Sequence, residues 1–228
     1  MESLDDKKWN LFQRRIWLFR YIPFVDVVFA SGSLATGRMH ENSDFDVLVL
    51  ARQGRIFTTR AACIIAFGFF GWRRKKGESG VAAKDKICLN HFATPAAYCL
   101  APPHNAYWRM LYASLVPVCG DPRTIQEFYD ANQDWMGMRR IYRDDSRHLY
   151  KKSSTAKTVL EKIAGGKLGA LCEDALKKIQ MRRINGGVES QAGFKPRIIA
   201  NDAELEFHPD TARIEAYLGR LQADKKTP

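Results

Sequence analysis

Residues 30 to 50 read "ASGSLATGRMHENSDFDVLVL" and place two carboxylates, Asp44 and Asp46, on either side of Phe45. A run of Val and Leu follows, the composition of a buried strand. Side chains two apart on an extended segment face the same side, with α-carbons about 7 Å apart. Both carboxylates can then converge on metal ions. Left alone at the mouth of an apolar strand, the two charges repel. A bound divalent cation offsets that cost, and oxygen ligands suit Mg²⁺ or Mn²⁺ shared with substrate phosphates.

The Gly32-Ser33 pair upstream supplies complementary chemistry. It follows a β-branched and aromatic run, "FVDVVFA", directly. Gly32 permits close backbone approach, and Ser33 offers a hydroxyl and an N–H. A small-residue turn that opens a helix presents free N–H groups to a phosphate. A triphosphate held there presents its α-phosphate to metals on Asp44 and Asp46, and two metals about 3.5–4 Å apart suit in-line displacement. Nucleotidyl transfer follows from these parts. Arg38, between the two motifs, is a further triphosphate contact, although a solvated loop arginine explains it equally well.

The elements that must position these residues can be read from pattern. Residues 5 to 21 carry apolar groups at helical spacing and stop at Pro23. Strands are expected over 24–30, 45–51 and 86–94, and a helix over 56–72. Helices are expected over 106–117 and 123–136, with Gly120-Asp121-Pro122 as the turn between them. A long helical stretch over 155–184 is interrupted at Gly165-Gly166. A hairpin runs from Arg197 to Phe207, and a last helix covers 210–222. The expected class is α+β: a mixed β-sheet core flanked by helices, then a mainly helical C-terminal region with a late β-hairpin. The expected division is a core over 1–103 and a helical region over 104–228 packed on it.

"VVFASGS" and "NSDFDVLVL" together resemble the nucleotidyltransferase superfamily typified by DNA polymerase beta, in its small bacterial branch. The later segments "LEKIAGGKLGALCEDALKKIQMRRI" and "LEFHP" also look like bacterial nucleotidyltransferase-domain proteins. The resemblance implies a nucleoside triphosphate donor, with ATP the nucleotide expected, and Mg²⁺. By position it makes Gly32 and Ser33 phosphate contacts, and Asp44 and Asp46 metal-binding catalytic residues.

One part of the family pattern is missing. Members commonly carry a third carboxylate on the next core strand, and here the matching polar residue of "KICLNHFAT" is Asn90. An amide is no base and binds metal only through a neutral oxygen. Asp85 lies at an odd offset from Asn90, so in a regular strand it faces the other side, as does the adjacent His91. Glu204 and Glu206 read as an exposed strand face. Three readings follow. The first is an active enzyme whose substrate or water supplies the missing ligand. The second is a nucleotide-binding protein that has lost transfer chemistry. The third is a nucleic-acid-binding module.

The totals bound the rest. The chain has 228 residues with 46% hydrophobic, enough for a substantial core. A formal net charge of +11 favours anionic partners, nucleic acid among them. Arg139, Arg140, Arg143, Arg147 and His148 form a basic stretch suited to an acceptor, whether small molecule, protein or RNA. Residues 61 to 72 are apolar but too few for a span, which needs about twenty. They read as a core helix ending in the basic run Arg73 to Lys76. Five cysteines without a C-x-x-C pair and a polar start indicate a reducing cytoplasm.

Overall fold

The computed structural model describes residues 2–102, 104–137, 154–185 and 197–208. Among these, a six-stranded mixed sheet is flanked on both faces by eight α-helices. Helix α1 (Leu4–Ile16) starts at a capping box, in which Ser3 and Asp6 each accept from the other's backbone N–H. A 3₁₀ turn (Trp17–Arg20) carries the chain to Pro23 and strand β1 (Val25–Ala30). A five-residue helix, α2 (Gly32–Thr36), ends at Gly37, whose φ of 68° closes the turn. Strand β2 (Phe45–Ala51) runs antiparallel to β1. Helix α3 (Ile56–Phe69) then crosses to β3 (Ile87–Ala93), which pairs with β2 in parallel.

The second half contributes to the same sheet. Helix α4 (Ala106–Ala113) leads into strand β4 (Val116–Gly120), followed by α5 (Pro122–Asp130) and α6 (Gln133–Met136). The helix expected as far as residue 117 therefore stops at Ala113, and the segment after it is a strand that pairs with β1. Pro117 lacks the N–H a helix needs there and is tolerated on this edge strand. Helices α7 (Thr155–Ala164) and α8 (Lys167–Asn185) meet at Gly165-Gly166, as the sequence predicts. Strands β5 (Arg197–Ala200) and β6 (Glu204–His208) form the antiparallel hairpin. The sheet order is β4-β1-β2-β3-β6-β5, so residues beyond 104 form both of its edges. The helix expected over 210–222 lies outside the described residues.

Alternation along the strands sorts two cores. Phe45, Val47 and Val49 of β2 face α1 and α3 with Phe12, Phe19 and Phe67. Leu48 and Leu50 face α4, α5 and α6 with Trp108, Tyr112 and Phe128. Asp44 and Asp46 share the parity of Leu48 and so lie at the open end of that second face. No helix among the described residues is long and apolar enough to cross a membrane. In α3 one side is buried through Phe57, Cys63 and Phe67, while Ile65 and Phe69 are exposed.

Candidate active site

The site begins where β1 ends. Ser31 continues the extended backbone, and its N–H donates to Asp46 O at 2.9 Å. Gly32 then takes a φ of +63° to start α2. A Cβ on Gly32 would lie 2.2 Å from Asp46 Oδ2. Both the backbone angle and the carboxylate therefore demand glycine here. Ser33 is half-buried, and its carbonyl accepts from the N–H groups of Gly37 and Arg38. Arg38 is exposed on the loop that follows.

The loop into β2 is fixed from below by Lys8 of α1. This buried ammonium donates to Glu41 O at 2.7 Å, to Ser43 O at 3.2 Å and to Asp85 Oδ1 at 2.5 Å. Asp85 also donates its N–H to Ser43 O at 3.1 Å, and its carbonyl accepts from Arg15. The carboxylate of Asp85 is thus committed to Lys8. It holds the two loops that precede β2 and β3 together.

Asp44 and Asp46 converge as their spacing predicts, and Cys88 joins them. One ligand atom from each of the three lies within 4.8 Å of the others. Cys88 is the β3 residue directly opposite Asp46. Asn90 donates from Nδ2 to Asp46 Oδ1 at 3.2 Å. Two residues of β3 thus occupy the region where sequence placed only Asn90. The register explains how. Asp46 pairs with Cys88, but Leu48 pairs with His91, so β3 carries one extra residue across this interval. Such a bulge turns neighbouring side chains to the same face. His91 therefore lies on the face of Asp46 and Leu48, not on the opposite one as regular alternation predicts.

A guanidinium completes the cluster. Arg74, just beyond α3, donates from Nη1 to Asp44 Oδ2 at 2.7 Å and from Nε to Glu78 O at 3.0 Å. Its Nη1 also lies 3.7 Å from Cys88 Sγ. Burial works against the Arg74 charge, but the carboxylates of Asp44 and Asp46 outweigh it and raise the pKa. Cys88 is driven the other way in chemistry: burial, then Asp46 and Asp44, push its thiol well above the ordinary range, so it keeps its proton. In the sequence Arg74 is one of the basic run Arg73 to Lys76, and Cys88 is one of five cysteines without a C-x-x-C pair. The available signal for Cys88 was its depth in β3, which matches that of Asp46 in β2.

The glutamates of the late hairpin are not exposed. β6 pairs with β3, His91 opposite Glu206 and Ala93 opposite Glu204, and both carboxylates are buried on the His91 face. They meet His91 and Tyr112 rather than Asp44 or Asp46. Arg139, Arg140, Arg143, Arg147 and His148 lie outside the described residues.

A search of the curated proteins finds no match to this chain. The family model for the nucleotidyltransferase domain matches residues 13–84. That span contains Gly32, Ser33, Asp44, Asp46 and Arg74 and ends before β3, so Cys88 and Asn90 fall beyond it. With the glycine turn packed on the Asp-x-Asp strand, residues 13–84 match a nucleotidyltransferase domain of the polymerase beta-like superfamily.

Proposed function

We propose that the protein transfers a nucleoside monophosphate from a nucleoside triphosphate, ATP in the first instance, to a hydroxyl acceptor. The observation that carries this reading is the contact between Gly32 and Asp46. It sets the small-residue turn hard against a carboxylate, so a phosphate held by the turn lies beside the Asp44–Asp46 pair. The N–H groups of Gly32 and Ser33 bind phosphate oxygens, with Arg38 assisting from the loop. Asp44 and Asp46 hold the divalent cation, Mg²⁺ or Mn²⁺. The residues present fit such an ion through oxygen: two carboxylates converge, the amide of Asn90 lies against Asp46, and the Arg74 guanidinium already places a positive charge on Asp44. A bound divalent ion supplies charge neutralisation of the triphosphate and activation of the acceptor hydroxyl.

In this reading the core over 1–103 carries the transfer chemistry, and residues 104–228 form the wall that meets the acceptor. The acceptor is a small molecule, a protein or RNA. The cytoplasm is the compartment, in keeping with five free thiols.

Calorimetry with a non-hydrolysable ATP analogue and Mg²⁺ tests the site. Binding should weaken at least about tenfold in Asp44→Asn and in Asp46→Asn, because charge-assisted metal contacts are lost. Equal affinity in all three proteins removes these residues from the site. Transfer is tested with α-labelled triphosphates offered to proteins, RNA and hydroxylated small molecules. Label should appear only when both aspartates are present.

A second reading, nucleotide binding without transfer, is favoured by the hydrogen bond from Asn90 to Asp46, since the amide stands where a base would act. Asn90→Asp separates the two. A gain of transfer on that substitution marks the native protein as a binder. Unchanged transfer marks it as an enzyme that works with two carboxylates.

A further inference from the structure

We propose that His91, Glu204 and Glu206 form a second divalent-metal site, a structural one for a borderline cation such as Zn²⁺, which fastens the late hairpin to the core sheet. The three side chains are buried, with Glu206 wholly inaccessible. One ligand atom from each lies within 4.8 Å of the others, and His91 Nε2 is 3.0 Å from Glu204 Oε1. Ligands about 2.0–2.2 Å from zinc lie about 3–4 Å from one another, so the spacing needs only small adjustment.

The contacts around His91 suit Nε2 as the ligating nitrogen. Tyr112 Oη donates to Glu206 Oε1 at 3.3 Å and lies 3.1 Å from His91 Nδ1. With the phenol proton on Glu206, the Tyr112 oxygen can accept from Nδ1–H of His91. A neutral imidazole then turns its Nε2 lone pair toward the Glu204 oxygen. A proton or a metal ion lies between two atoms this close, and the metal takes the place of the proton on binding. The orientation matches that of a metal-bound histidine, whose second nitrogen is held by a neighbouring group.

A second histidine lies close by. His208 Nε2 lies 3.0 Å from Glu206 Oε1, yet this buried atom makes no hydrogen bond. His208 stands outside the group of three and lies beside the site without belonging to it. Imidazole nitrogen with carboxylate oxygen favours a borderline cation over Mg²⁺, which prefers oxygen and retains water. The site is separate from the Asp44–Asp46 pair. His91 is opposite Leu48, further along β2, and under Tyr112 rather than at the strand mouth. Its ligands come from β3 and β6 alone, so the ion would staple one strand to the other.

The test uses the full chain carrying Asp44→Asn, Asp46→Asn and Cys88→Ser, which removes the other ligand cluster. After treatment with chelator and dialysis, the protein is loaded with Zn²⁺ or Co²⁺. We expect about one tightly held Zn²⁺ per chain by elemental analysis and a higher Tm than the chelated form. Co²⁺ should give visible absorption of nitrogen–oxygen ligation, without thiolate charge transfer. Glu206→Gln and His91→Gln, each in this background, should weaken Zn²⁺ by more than tenfold. No uptake by the triple variant overturns the proposal whether or not the further variants fold. So does a thiolate band, or Zn²⁺ held equally well by Glu206→Gln.

Discussion

At Gly32 there is no room for a methyl group. Its positive φ costs an L-residue about 1 kcal/mol or more, and a Cβ would collide with Asp46 Oδ2. Gly32→Ala should therefore displace the carboxylate. We expect loss of triphosphate affinity by at least about tenfold beside a modest fall in Tm, as the strain is about 1–3 kcal/mol. Calorimetry and thermal melts on one preparation check this, and unchanged affinity would show that Asp46 does not bind through this geometry. Arg74 acts on the other aspartate. Its ion pair with Asp44 is partly shielded and contributes about 1 kcal/mol. In Arg74→Ala the two carboxylates lose that counter-charge, so Mg²⁺ should raise Tm more than it does in wild type. An equal rise in both proteins would mean that the ion and the guanidinium do not share a position. The sequence displayed Gly32, Ser33, Asp44 and Asp46 because their spacing is local. It hid Arg74 and Cys88 because their roles depend on which loop and which strand come to lie beside Asp44.

Helix α3 shows how elements of the two halves depend on each other. Arg55, at its N-cap, makes no side-chain cap. Instead Glu173 of α8 accepts from the N–H groups of Phe57 and Thr58, each at 2.8 Å. This buried carboxylate also favours the positive end of the helix dipole. Glu173→Ala should cost about 1–3 kcal/mol, because the Phe57 N–H is left buried without its acceptor. Urea denaturation measures this, and a loss within about 0.5 kcal/mol would assign the capping to water. Cys63 on the same helix gives a pH signature. Burial raises its thiol far above the ordinary value. The folded protein then keeps a proton that the unfolded chain releases, so stability should fall as pH rises above about 8.5. Cys63→Ala should flatten that fall in denaturation curves between neutral and alkaline pH.

Most elements were legible from periodicity, and β2 matches its expected bounds of 45–51 to the residue. Strand β4 was not, since Val116 to Gly120 directly follows a helical pattern and contains a proline. Nor was the burial of Glu204 and Glu206, because alternation within a hairpin does not say which sheet edge it will join. The bulge in β3 was hidden for the same reason: register belongs to a pair of strands.

Over the whole molecule, the charge of +11 predicts affinity for polyanions. Binding of single-stranded RNA should fall steeply between about 50 mM and about 200 mM salt, and Asp44→Asn should leave it nearly unchanged. A filter-binding series checks both. A salt-insensitive interaction, or one abolished with Asp44, would place RNA at the nucleotide site instead.

The sheet order also bears on biosynthesis. The edge of β3 that accepts β6 remains open until residues 204–208 have been translated, although β1 and β2 are made within the first 51. Until then the chain carries an unpaired strand edge next to its own site, the kind of surface that joins other chains. Emergence of residues 204–208, rather than of the Asp-x-Asp strand, is the moment at which this fold can close.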